Sequence, residues 1–385
     1  MHVRRPPALA TGAAIAALAA APAAAGADVR IDGHGFGHAV GLSQYGAMGY
    51  AAREGRSWPW ILAHYYPGTT PATAPATRLR VRLAAGPAAR VGGVRLARDG
   101  AGRHVALSPR RSYRLTPWPG GVLLRLYDRS AGRVVAHLRA PVRLSGPGPL
   151  GLLGTADNGV ADGRYRGALV VAGDPAGVVV DDDVDLEQYL LGVVGSEMPA
   201  SWPTQALRAQ AVAARTYALA GRRPAEPFDV YADSRSQEYR GVAGESPSAA
   251  AAVAGTRRRI LDYGSGPAQT LFSASSGGRT AAVQDAFPGA AAQPYLQAVD
   301  DPYDTLSPYH DWSVSPTGAE LEQRLGPVLA GRLADLAVTT TTPEGRAATV
   351  TVTGTLGTTV VDAVTIRRLL GLRSTWFTIT RLPGA

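Results

Sequence analysis

The chain has 385 residues, 45% of them hydrophobic and only 18% charged, with no cysteine and a formal net charge of +9. The missing cysteine excludes disulfides, thiolate zinc sites and a cysteine nucleophile. All the basic residues are arginine, and the positive excess suits an anionic partner such as nucleic acid, a membrane surface or an acidic cell-wall polymer.

In chain order, residues 1–27 have the three parts of a secretory signal peptide. These are a short basic start (MHVRRPP), an apolar run from Ala8 to Ala21, and small residues with cleavage expected after Ala25 or Ala27. Loss of Arg4 and Arg5 would leave a charge of +7. No later run has the length of a membrane span, so the mature chain is expected to have none and to be secreted or to reside at the cell wall. Residues 28–77 hold GHGFGHAVGLSQYGA (Gly33 to Ala47) and a helix-spaced set Trp58, Ile61, Leu62 and Tyr65 that stops at Pro67-Gly68.

Residues 78–150 change to alternation. RLRVRL, HVAL, SYRL, VLLRLY and RVVAHL read as short strands of a small antiparallel β module, with no chemistry to assign. Residues 151–385 open with ALVVAGDPAGVVV, a hairpin around a Gly-Asp-Pro-Ala-Gly turn. A helix starts at the N-cap Asp185, with Gln188 placed for a capping box, and ends before Pro199. A second helix runs from Pro203 through Leu207, Ala211, Ala214 and Ala218 to Gly221. Helix is also expected in SPSAAAAVAG, GAELEQRLGPVL and TIRRLLGL. The fold class is therefore α+β: a mixed, strand-rich domain with a central helix pair plus the small antiparallel β module.

Several residues carry candidate chemistry. Glu197, at a helix end between two apolar helices, would have a raised pKa if partly buried and could then serve as a general acid; otherwise it is a solvated loop residue or a partner of Arg208 or Arg215. Arg215 lies in an otherwise apolar helix and needs a carboxylate, a bound anion or a path to solvent. DDDVD (Asp181 to Asp185) reads as a strand end and N-cap rather than a calcium loop, since it lacks the glycine and distal glutamate of that pattern. SASSGGRT (Ser273 to Thr280) offers hydroxyls and free amides for sugar hydroxyls, an N-acetyl group or an oxyanion, or is a plain turn. DDPYDTLSPYHDW (Asp300 to Trp312) mixes carboxylates with rings, as a sugar site does, or packs a tryptophan under a polar loop. His34 and His38 stand four apart, but the glycines between them argue against a metal-binding helix, and no further ligand completes a site. A dinucleotide loop is equally weak; a tight loop with hydrogen-bonded histidines fits better.

Taken together, VDLEQYLLGVVGSEMPASWPTQALRAQAVAARTYAL, DSRSQEYRG, LFSASSGGRT, DDPYDTLSPYHDW, LGLRSTWF and GHGFGHAVGLSQYGAMGYA with ILAHYYPGTT resemble the sporulation stage II protein D (SpoIID) / LytB family over roughly residues 29–70 and 165–380. In many members the Gly/His block follows the LGL-S-x-x-F segment near the C-terminus. Here it stands at the start, so the first and last segments are expected to be spatial neighbours. Ala39 and Leu42 replace a commoner Gly and Met. Some members hold zinc partly through cysteine, which this chain lacks.

The resemblance implies a peptidoglycan lytic transglycosylase that cleaves MurNAc-GlcNAc bonds of glycan strands and leaves 1,6-anhydro-MurNAc ends. Glu197 would be the catalytic acid and base. Substrate-binding candidates are Arg215, Arg208, Gln237, Tyr239, Ser273, Ser275, Gly277, Gly278, Thr280, Tyr309, His34, His38 and Gln44. No cofactor, no metal and no nucleic acid partner is expected. Part of the family implies instead a non-catalytic, wall-binding enhancer of an N-acetylmuramoyl-L-alanine amidase. A metallohydrolase built on His34 and His38 is a third reading.

Overall fold

The computed structural model describes residues 29–119 and 123–381; the expected signal peptide lies outside them. Helices and strands alternate irregularly along the chain, and the strands fall into several sheets, so the fold class is α+β. No helix among the described residues is long and apolar enough to cross a membrane.

Two sheets form the β-rich part. One has six strands, ordered 133–139, 123–128, 112–117, 89–92, 150–152 and 164–165. The other has seven, ordered 230–231, 78–86, 177–185, 168–174, 142–145, 96–98 and 104–106. Alternation decides what they bury: in Arg78–Gly86, Leu79, Val81 and Leu83 are inside while the arginines between them are not. Leu115, Leu124, Leu126, Val171 and Val180 join these in one core cluster with the central helices. The strand Arg78–Gly86 pairs along its length with Gly177–Asp185. The strands expected to form a small β module thus share this sheet with the hairpin that launches the helix pair.

That hairpin forms as its turn predicts, from Ala168–Asp174 and Gly177–Asp185. Asp185 caps the helix Leu186–Glu197 by accepting from the amides of Glu187 and Gln188. The run Asp181–Asp183 is spent within the fold: Asp181 pairs with Arg82, Asp183 with Arg78 and Arg143, and Asp182 accepts from Tyr239. The helix Thr204–Ala220 follows and packs against the first, with Leu207, Ala211, Ala214 and Ala218 buried.

The chain ends meet. The strand Val29–His34 lies between Asp311–Val314 and Phe377–Arg381, antiparallel to both, with Val29 opposite Arg381. Gly33 leaves room for the Trp312 ring, since a Cβ there would come within 2.3 Å of it. Val29 and Ile31 belong to a second core with Trp312, Leu321, Val350, Val352, Ile366 and Phe377. This core carries the three-stranded meander Leu333–Thr341, Ala347–Gly354 and Gly357–Asp362. The first and last segments are therefore neighbours, as the displaced Gly/His block requires.

Candidate active site

Four segments converge on one open cleft of about 450 Å3. The first is the end of the Leu186–Glu197 helix. Met198 takes an extended conformation ahead of Pro199, so the helix stops with Glu197 as its last residue. The second is the polar stretch Ser234–Glu238. The third is the Gly/His loop, where Gly35, Gly37, Ala39 and Gly41 all have positive φ. The chain leaves this loop through Leu42–Ser43, paired in parallel with Phe272–Ser273, the fourth segment. Ser43 caps the helix Gln44–Arg53 by accepting from the Gly46 amide, which places Gln44 at the helix start and in the cleft.

Both oxygens of Glu197 are held. Oε1 accepts from the Glu238 amide at 2.9 Å, and Oε2 accepts from Gln44 Nε2 at 3.2 Å. Burial dominates over these two hydrogen bonds and pushes the Glu197 pKa up to about 7. The Glu238 carboxyl, itself raised by burial and by Asp233, adds a like charge in the same direction. Glu197 is thus substantially protonated near neutrality. His38 lines the same cleft, where burial and the Arg367 charge depress its pKa to about 4, so its imidazole is neutral. Its Nδ1 accepts from the Val40 amide at 3.0 Å. Ser273 Oγ accepts from the Ala39 amide at 3.1 Å.

The cleft brings together Glu197, Gln44, His38, Gln237 and Ser273 from the sequence candidates. The others lie elsewhere. Arg215 is fully buried and makes a two-pronged pair with Glu187, Nε–Oε1 and Nη2–Oε2 both at 2.8 Å, while Nη1 donates to the Arg259 carbonyl. It positions the helix pair and does not face the cleft. Arg208 lies against Gly255, where a Cβ would meet its guanidinium at 3.1 Å. Tyr239 is a core ring whose hydroxyl donates to Asp182.

Ser275 is buried and donates to both oxygens of Asp304; the amides of Ser276 and Gly277 donate to the same carboxylate. Gly278 donates to Ser276 Oγ, and the Thr280 hydroxyl pairs with the backbone of Val299. This stretch builds the loop that receives Phe36, through a bridge from Phe36 to Ser275. Tyr309 does not line the cleft and lies edge-on to Phe36, which does, with ring centroids 4.9 Å apart. His34 is exposed and pairs with Asp311 at 2.6 Å.

His34 and His38 are thus engaged with different partners. Among the described residues no group of three or more His, Asp or Glu side chains could hold a metal ion. The donor set does not fit a zinc held partly by cysteine.

A family model described as stage II sporulation protein (SpoIID) matches residues 176–263, the stretch from the hairpin turn through both helices to Tyr263. The stage II sporulation protein D of Bacillus subtilis (strain 168) is 33% identical over 213 residues, covering 51% of this chain and 60% of that protein. Its counterpart in Bacillus amyloliquefaciens is 34% identical over 221 residues, covering 53% of this chain and 62% of that protein. Over this segment the chain is similar to the SpoIID/LytB family. It spans about three fifths of the length of these two curated relatives. A Bacillus subtilis (strain 168) protein named amidase enhancer is 31% identical over 135 residues, 35% of this chain and 18% of that protein.

Two charged residues of the cleft escaped the reading of the sequence. Glu238 is the neighbour of the candidate Gln237, and its charge in SQEY was a visible signal. Arg367 reaches the cleft from the helix Ala363–Leu370; in TIRRLL it has the spacing of an ordinary surface arginine, and only the fold brings it in.

Proposed function

We propose that this protein is a peptidoglycan lytic transglycosylase acting in the cell wall, with Glu197 as its single acid/base. The observation that carries the reading is a carboxyl with a pKa of about 7, held by the Glu238 amide and Gln44 in an open cleft. Protonated Glu197 donates to the glycosidic oxygen as the bond between MurNAc C1 and that oxygen breaks. The carboxylate then takes the proton from the muramoyl 6-hydroxyl, whose oxygen bonds to C1 and closes the 1,6-anhydro ring. The nucleophile belongs to the substrate, so one carboxylate completes the reaction, where a hydrolase uses a pair. The similarity to SpoIID/LytB proteins supports a role on the wall, and the N-terminal sequence supports export.

The test uses purified protein and isolated glycan strands, with products read by mass spectrometry beside Glu197→Gln. Anhydro-muramoyl ends from the wild type alone are the expected result. Plain reducing ends would make Glu238, the second carboxylate of the cleft, a hydrolytic base. The name of the amidase-enhancer relative favours one other reading, a non-catalytic wall-binding partner of an amidase. Binding of strands without cleavage, unchanged in Glu197→Gln, would select it.

A further inference from the structure

The charge of the protein is not spread over its surface. Residues 90–139 contain eleven arginines and two aspartates, a formal charge of +9, which equals that of the whole chain. The other residues balance to zero. Neither aspartate neutralises the group. Asp99 is taken up by the amides of Ala101, Arg103 and Arg139. Asp128 accepts from the amides of Ser130 and Ala131 and pairs with Arg111. Among the described residues the other ten arginines have no carboxylate partner.

The sheet arranges part of this charge around a hollow. Arg90 and Arg114 are directly opposite across the antiparallel pair 89–92 and 112–117, a like-charge pair that destabilises a sheet unless an anion sits between them. With Arg129 they line a groove of about 430 Å3 together with aliphatic residues that include Ala84, Ala88, Val178 and Val180. No aromatic ring and no carboxylate lines it.

We infer that this groove is a second binding site, for the phosphodiester backbone of an anionic wall polymer of the poly(glycerol phosphate) kind. Guanidinium forks match phosphate oxygens two at a time, and the aliphatic part of the lining suits the carbon chain of a polyol. Single-stranded nucleic acid would need rings on which bases stack, and the groove offers none. The site is separate from the Glu197 cleft in its residues and chemistry. It would hold the protein on the wall while the cleft works on a neighbouring glycan strand.

The test is fluorescence anisotropy of the full chain with a labelled poly(glycerol phosphate) oligomer across a salt series. One variant carries Arg90→Ser, Arg114→Ser and Arg129→Ser. A control variant removes the same charge from exposed, unpaired positions outside the module, as Arg53→Ser, Arg222→Ser and Arg368→Ser. The groove variant should lose at least about tenfold in affinity, with a salt slope shallower by about two, and the control should lose far less. Its cleavage of uncharged glycan fragments should equal that of the wild type, which separates this inference from the cleft reading. Equal losses in the two variants, or equal affinity for a DNA oligonucleotide of the same charge, would overturn it.

Discussion

Glu238 acts on Glu197 in two opposite senses: its amide donates to Glu197 Oε1 at 2.9 Å, while its carboxyl brings a like charge into the same cleft. The amide stabilises the ionised form and the charge opposes it. Glu238→Gln keeps the first effect and removes the second, so the Glu197 pKa should fall. Fewer molecules then carry the acid proton at neutral and higher pH. The basic limb of the kcat/KM profile should move to lower pH, with a loss of about threefold at pH 8. An unmoved limb would show that the two carboxyls do not sense each other.

Glu197 itself should lower stability as pH rises. Its folded pKa of about 7 lies above its ordinary 4.5, so between these values the folded state binds more protons than the unfolded one, and stability falls with increasing pH. Glu197→Gln removes that dependence. At pH 8 the variant should be more stable than the wild type by about 1–3 kcal/mol, and at pH 4 the two should converge. Paired denaturant titrations at both values measure this. The same variant should lose about 10²–10⁴ in kcat with glycan binding retained.

Arg215 and Glu187 predict a structural phenotype. The pair is bidentate at 2.8 Å with the guanidinium fully buried. Removing one partner leaves the other charge buried and uncompensated, at a cost of about 3–5 kcal/mol. Arg215→Met should lower the melting temperature strongly while the folded fraction keeps its kcat and KM. Arg215→Lys should rescue little, because an ammonium cannot make the forked contact. A selective rise in KM at unchanged stability would return Arg215 to the substrate.

What was legible in the sequence followed from local rules. Asp185 as N-cap, Pro199 as helix stop, the Asp174–Gly177 turn and the strands of the β module are each set by a few neighbouring residues, and each formed. Glu197 stood out as a carboxylate at an apolar helix end, but its catalytic role came from the family resemblance, and its burial needed the fold. The misplaced residues all required knowledge of long-range packing. Arg215 was expected to need a carboxylate, an anion or a path to solvent, and only the resemblance made it a substrate ligand; its partner Glu187 is 28 positions away, one helix back. Ser275, Gly277 and Gly278 looked like a glycan-binding loop, yet their polar groups are taken up by Asp304 and Ser276. The helix Gln44–Arg53 was hidden by its own small residues, which exist to let it approach its neighbours.

Gly46 shows how tight that approach is. A Cβ there would lie 2.0 Å from Asp301 Oδ1 and 2.1 Å from the Tyr65 hydroxyl, which donates to that Oδ1 at 2.8 Å. Both partners are buried, so neither can swing into solvent. Gly46→Ala gains helix propensity of about 1 kcal/mol in isolation, but here it must break the Tyr65–Asp301 bond or displace the helix. Net destabilisation of about 2–4 kcal/mol is expected, with Gln44 drawn away from Glu197. Activity per folded molecule should therefore fall as well.

Ala39 offers the opposite test in the same loop. Its φ of 62° places a buried alanine in the left-handed region, at a strain of about 1–2 kcal/mol. Glycine adopts that conformation freely. After its larger entropy in the unfolded chain is subtracted, Ala39→Gly should still stabilise the protein by about 1 kcal/mol, with the Glu197–Gln44 contact and the pH profile unchanged. A loss of stability in chemical denaturation would mean that the Ala39 methyl contributes more by packing than its backbone costs. Combined with Gly46→Ala, the gain from Ala39→Gly should add only partly, because both positions set how the loop and its helix dock on the same wall of the cleft.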